Sequence, residues 1–160
     1  MIYLKGWWRE SQPNIHECSE FNNIWAKQWA QENSKLWLHL SNILHRYLPS
    51  LYDIYMQLPL ITRSFGAFPM CVLNLDFACK RHKDQKDFRN GLCFDIPFGD
   101  WIGGNIILEE VNIEVKVKPG DLFIFDSSHI HHWIEKYEGR RNSVILTAHN
   151  NLFFPSLQTK

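Results

Sequence analysis

The residues of this sequence best suited to chemistry lie in RHKDQKD, residues 81–87, where His82 and Asp84 stand two apart after an apolar run. If that run, CVLNLDFA at residues 71–78, is a strand that continues to this point, positions two apart project to one face and an imidazole converges with a carboxylate. An iron-binding facial triad needs such a pair and one further histidine, leaving three coordination positions on one side of the metal for substrate and oxygen. The segment SSHIHHW offers His129, His131 and His132 for the third place. Spacing selects His131. It precedes Arg141 by ten residues, which suits a strand, a tight turn at Gly139 and a returning strand that brings a guanidinium near the metal. His129 shares the parity of His131 and is the alternative, whereas His132 faces the other way.

Arg141 and Ser143, in GRRNS, share a face of the next strand. A 2-oxo acid chelates Fe(II) through its keto oxygen and one carboxylate, and its far carboxylate then calls for a planar, permanently charged, bidentate partner. Arg141 meets that need, with Ser143 as an added hydrogen bond. Each part taken alone has an ordinary explanation: His-x-Asp recurs by chance, histidine clusters decorate surfaces, and a strand arginine discourages edge pairing. The order of parts carries the reading, from His-x-Asp through glycine turns and Pro-Gly-Asp to His and Gly-x-Arg-x-Ser.

The elements that must hold these side chains are mainly strands. Candidates are residues 71–78, 91–98, 105–109, 112–118, 121–125, 131–135 and 143–148, with turn signals at Gly99, Gly103 with Gly104, Pro119 with Gly120, and Gly139. That rhythm suits a β-sandwich or jelly roll. Helices precede the strands instead of alternating with them, which argues against a doubly wound sheet. From Phe21, apolar residues Ile24, Trp25 and Trp29 recur at helical spacing, and Leu36, Leu40, Ile43, Leu44, Tyr47 and Leu48 follow a polar break. The expectation is one amphipathic helix ending before Pro49, its aromatic stripe packed as core and its His39 and His45 at the surface. Residues 53–70 read as a loop, and Trp7 and Trp8 as docked on something larger.

Composition sets the outer limits. A chain of 160 residues that is 45% hydrophobic and 14% aromatic suits a single folded domain. Seventeen basic and 17 acidic residues cancel, so no global field draws it to polyanions or anionic membranes. Cys18, Cys71, Cys79 and Cys93 lack Cys-x-x-Cys spacing, which predicts reduced thiols and an intracellular protein. No apolar run approaches the roughly 18 residues of a membrane span.

The sequence HKD, WIGGNIIL, KPGDLFIF and HHWIEKYEGRRNS resembles, over residues 70–149, the double-stranded β-helix core of the Fe(II)/2-oxoglutarate-dependent dioxygenases. Within them, FGAFPMCVLNLDFACKRHKDQKDFRNGLCFDIPFGDWIGG is similar to the fungal oxygenase domains related to the TET/JBP group, which oxidise the methyl of 5-methylcytosine or thymine. The resemblance implies a jelly roll over residues 70–150, supported by helices and loops over 1–69. It further implies Fe(II) held by His82, Asp84 and His131, and 2-oxoglutarate anchored by Arg141 and Ser143. Asp87 and His149 take the places of residues that contact the target base. Dioxygen and 2-oxoglutarate would yield succinate, carbon dioxide and a hydroxylated product, with a methylated pyrimidine in nucleic acid as the first substrate and a nuclear location to match. A protein side chain or small molecule is the second, and a silent jelly-roll binding module the third. Lys80, Arg81, Lys83, Lys86 and Arg89 form a basic cluster beside the proposed site, suited to phosphate contact. A base in a duplex would have to be flipped out to reach the iron.

Overall fold

The computed structural model describes residues 23–60 and 62–153, together with the backbone of two short strands, β1 (Trp7–Trp8) and β2 (His16–Glu17). Those two strands pair antiparallel. The side chains of Trp7, Trp8 and Cys18 lie outside the described residues. The chain divides into two compact units, one built on Val72–Leu146 and the other on Leu4–Cys71 with the described part of Thr147–Lys160.

The unit built on Leu4–Cys71 is helical. Helix α1 (Ile24–Glu32) starts at Asn23, whose side-chain oxygen accepts from the Trp25 N–H at 3.2 Å, so an otherwise unpartnered amide is capped. It ends at Asn33, where α2 (Ser34–Tyr47) begins, so the single expected helix is two. The polar break is the physical cause: Asn33 turns its side-chain amide onto the Trp29 carbonyl at 2.8 Å, competing with continuation of the helix. Pro49 ends α2 as expected and also opens α3 (Pro49–Met56). A proline lacks only an N–H that a first turn leaves unused. Arg63 then caps α3, donating to the carbonyls of Met56 and Leu58 at 3.0 and 2.9 Å. The expected stripe is core only in part: Leu40 and Leu44 are buried, but Ile24, Trp25 and Tyr47 are exposed. The buried aromatic is Trp37, one position off that stripe, which packs edge-on against Phe65 at 5.6 Å and donates Nε1–H to the Ala30 carbonyl at 2.8 Å. A second cluster gathers Leu58, Met70 and Leu152, the last from a 3-10 turn at Asn150–Leu152. His39 and His45 are exposed.

The remaining strands are β3 (Met70–Asn74), β4 (Cys93–Gly103), β5 (Ile106–Leu108), β6 (Ile113–Val115), β7 (Phe123–Phe125), β8 (His132–Ile134) and β9 (Tyr137–Thr147). They form a four-stranded sheet in the order β3-β9-β4-β7 and a three-stranded antiparallel sheet in the order β6-β5-β8. One apolar cluster takes Cys93 and Phe125 from the first sheet and Ile106 and Leu108 from the second, with Val117, so the sheets face each other across it.

Two glycines read as turns lie inside strands. In the β4–β9 ladder Gly99 pairs with Arg141 and Gly139 with Trp101, and both glycines have positive φ, 123° and 98°. A Cβ on Gly99 would stand 2.3 Å from the Arg140 carbonyl oxygen, and one on Gly139 the same distance from that of Asp100. The backbones approach too closely for any side chain, and that is why glycine is there. No helix among the described residues is long and apolar enough to cross a membrane.

Candidate metal centre

His82 lies outside the named strands but is stitched to β8. Its N–H donates to the His132 carbonyl at 3.1 Å and its carbonyl accepts from the His132 N–H at 2.9 Å, an isolated antiparallel bridge. Residues that exchange both hydrogen bonds send their side chains to the same face, so the two imidazoles meet with ring centroids 4.3 Å apart. Asp84 joins them, its Oδ1 at 3.5 Å from His82 Nε2 and its Oδ2 at 3.7 Å from His132 Nε2. One donor atom from each of the three lies within 4.8 Å of the others.

The outer contacts fix how these donors point. His82 Nδ1–H donates to the Lys80 carbonyl at 2.7 Å and His132 Nδ1–H to that of Ile130 at 3.0 Å, since a carbonyl can only accept. Each Nε2 is thereby aimed at the carboxylate, the tautomer that a metal-binding imidazole needs. The Asp84 N–H donates to the Ser127 carbonyl at 2.9 Å, and Ser127 Oγ–H donates to Asp87 Oδ2 at 3.0 Å, holding the loop that carries Asp84. The pKa of His82 is pushed up to about 10, first by its hydrogen bond to Asp84 and then by one to Cys79. That of the more deeply buried His132 is lowered by desolvation.

The third member is therefore His132, where spacing had selected His131. The selection took the ten residues to Arg141 as a strand, a tight turn at Gly139 and a returning strand, but β8 and β9 belong to different sheets and Gly139 lies inside β9, so the spacing does not choose among the histidines. His131 faces away from the trio and binds Glu110, donating its backbone N–H and its Nδ1–H at 2.6 Å each. His129 is engaged by Asp126, with Nδ1 2.9 Å from Oδ2. Glu109, Glu110 and His131 form a second group of metal-donor type, but Arg81 pairs with Glu109 and Lys83 Nζ with Glu110 at 2.8 Å. Those cations pull both carboxyl pKa values down, that of Glu110 to about 2 with Lys83 as the leading cause.

Arg141 lies on β9 with 1% of its surface exposed. Among the described residues its Nε and Nη2 have no hydrogen-bond partner; the Asp95 carboxylate is 4.0 Å from Nη2, and the Trp101 ring lies 5.5 Å from Cζ. A buried guanidinium with unused N–H groups is costly unless an anion completes it. Ser143 is buried on the same strand and accepts from Asn74 Nδ2 at 3.3 Å. Burial raises the Asp95 pKa to about 6, against the opposing pull of Arg141 and Ser143. The buried Cys93 thiol is driven well up, by desolvation first and then by the charges of Asp95, Asp87 and Asp84. Cys71, Cys79 and Cys93 are free thiols. Asp87 is buried, and His149 is half-buried at the start of the 3-10 turn, in the other unit.

A β-sandwich carrying a His-Asp-His trio and a buried, under-partnered arginine is the class of protein that the geometry defines. No family model matches the chain, and neither does any curated protein. Among solved structures, that of NgTET1 in complex with 5mC DNA is similar to it, with a TM-score of 0.72 at 21% identity over 94% of this chain. The match takes in 61% of the NgTET1 chain, so the present sequence spans about three fifths of that protein's length. The likeness establishes a shared fold.

Proposed function

We propose that the protein is an Fe(II)- and 2-oxoglutarate-dependent dioxygenase on a double-stranded β-helix. The observation that carries this reading is Arg141: a buried guanidinium whose Nε and Nη2 have no hydrogen-bond partner among the described residues, with only the Asp95 carboxylate at 4.0 Å, in the same compact unit as a trio of two imidazoles and a carboxylate. His82, Asp84 and His132 fit the ferrous donor set of two nitrogens and one oxygen, which leaves positions open. Arg141 fits the far carboxylate of a 2-oxo diacid, with Ser143 beside it. When bound, Fe(II) with 2-oxoglutarate and dioxygen would supply oxidative decarboxylation coupled to oxidation of a C–H bond.

The chain's own residues orient and exclude. The Lys80 and Ile130 carbonyls hold both imidazoles with Nε2 towards Asp84, and Ser127 holds the Asp84 backbone. Trp101 covers one side of the guanidinium and keeps water from competing for it. The likeness to NgTET1, whose structure holds 5mC DNA, supports a methylated pyrimidine in nucleic acid as substrate, with Asp87 and His149 as the base contacts. A second substrate class, a protein side chain or small molecule, is favoured by one observation. Two of the five cations expected to meet phosphate, Arg81 and Lys83, are already bound to Glu109 and Glu110.

The deciding experiment adds Fe(II) and 2-oxoglutarate to the metal-free protein under anaerobic conditions, then oxygen with methylated DNA. A visible charge-transfer band, succinate release and oxidised bases by mass spectrometry are expected. A band and succinate without oxidised bases would move the substrate to the second class. Neither band nor succinate would leave a silent binding module. Asp87→Ala and His149→Ala should lower base oxidation while succinate formation without substrate persists.

A further inference from the structure

We propose that Glu110 is a positioning residue, a clamp that sets the spacing of the two chain segments carrying His82, Asp84 and His132; the inference rests on the metal-centre reading above. Its carboxylate accepts from Lys83 Nζ at 2.8 Å, from the His131 N–H at 2.6 Å and from His131 Nδ1–H at 2.6 Å. Lys83 separates His82 from Asp84, and His131 precedes His132. One carboxylate therefore grips the immediate neighbours of all three donor side chains.

Strand geometry explains how. Successive side chains of extended chain alternate faces, so when His82 and Asp84 turn to one side, Arg81 and Lys83 turn to the other, as His131 does relative to His132. The face opposite the donors thus presents three positively charged or hydrogen-donating groups. Glu109 and Glu110, following β5, meet them there: Arg81 Nε donates to Glu109 Oε1 at 2.9 Å, and the Glu109 N–H donates to the His131 carbonyl at 2.9 Å. These bonds already engage both carboxylates, which makes the pair a poor second metal site and a good brace.

Exposed ion pairs contribute little to global stability, so the brace acts on local geometry. Groups that orient metal ligands from outside are worth roughly 10- to 100-fold in metal affinity, and one acting through the neighbouring residues belongs near the lower figure.

Titrating the metal-free full chain with Co(II) without oxygen, and reading the d–d absorption, tests this for wild type, Asp84→Ala, Glu110→Ala, Glu110→Gln and Glu114→Gln. Glu110→Ala should bind about tenfold more weakly with an altered band shape, while its metal-free melting curve stays that of wild type. Glu110→Gln, which keeps an acceptor for the His131 N–H, should fall between the two. Glu114→Gln removes the same charge from β6 and should change nothing. If both Glu110 variants match wild type in affinity and spectrum, the clamp is overturned and the metal centre stands. If wild type binds no Co(II), or Asp84→Ala binds it equally well, the metal centre itself is overturned and the clamp goes with it.

Discussion

His82 and His132, 50 positions apart, exchange both backbone hydrogen bonds at 3.1 and 2.9 Å and so present their rings to the same side of the chain. The imidazole pair is thus set by the main chain, and Asp84 follows from lying two residues beyond His82.

His132→Ala should cost more than about a hundredfold in Fe(II) or Co(II) affinity, beyond what removal of an outer partner costs. His131→Ala, by contrast, keeps the backbone N–H that reaches Glu110 and should stay within about tenfold of wild type. Metal titrations of the two variants side by side make the comparison. The reverse ranking would restore His131 as the donor.

Arg141→Ala should retain metal and lose 2-oxoglutarate, by about a hundredfold if two charge-assisted hydrogen bonds go with it. The measurement is the dissociation constant of 2-oxoglutarate from its charge-transfer band at saturating Fe(II). Loss of metal with unchanged co-substrate affinity would show that the two roles had been exchanged.

Local relationships were legible in the sequence and relationships across sheets were not. His82 and Asp84 could be paired from their two-residue offset, although β3 ends at Asn74 and the strand expected to run on to them does not; Arg141 and Ser143 do share a strand, β9. His132 could not be chosen over His131 from parity, because β8 and β9 lie in different sheets and nothing in the intervening residues announces the change. Glu110 could not be singled out from the sequence, since its partners Lys83 and His131 are distant in it. Helix α3 was missed because Pro49 was read only as a stop, although the same ring that ends one helix suits the first position of the next. Gly99 and Gly139 signalled special backbone, but a close approach of two strands and a turn leave the same mark in a sequence.

In the helical unit, Gly66→Ala should destabilise the protein by about 3 kcal/mol. Gly66 has φ of 64°, and an added Cβ would stand 2.2 Å from Ser41 Oγ and 2.8 Å from the Trp37 carbonyl oxygen. Ser41 cannot retreat freely, because its hydroxyl donates to that carbonyl at 2.7 Å and accepts from the Ala67 N–H at 2.9 Å. Denaturant unfolding should show a lower midpoint at unchanged slope. An unchanged midpoint would mean that the loop relaxes without loss.

Asp95 gives the pH dependence. Its pKa is raised from 3.8 to about 6, burial outweighing Arg141 and Ser143 on β9, with the Cys93 thiol nearby on its own strand. An acid whose folded value lies above its unfolded value binds more protons in the folded state, so stability falls as pH rises between the two and levels off above the higher. Asp95→Asn imitates the protonated form and removes that fall. The stability of Asp95→Asn relative to wild type should therefore rise from about pH 4 to about pH 6 and stay constant at pH 7–8, measured by denaturant unfolding at each pH. The same charge should act on the co-substrate, because an ionised Asp95 4.0 Å from Nη2 partly cancels the guanidinium that a 2-oxo diacid requires. Asp95→Asn should bind 2-oxoglutarate more tightly than wild type at pH 8, and the advantage should shrink towards pH 5. If the variant instead loses both stability and affinity at pH 8, the Asp95 anion supports Arg141, and its pairing outweighs the cost of burial.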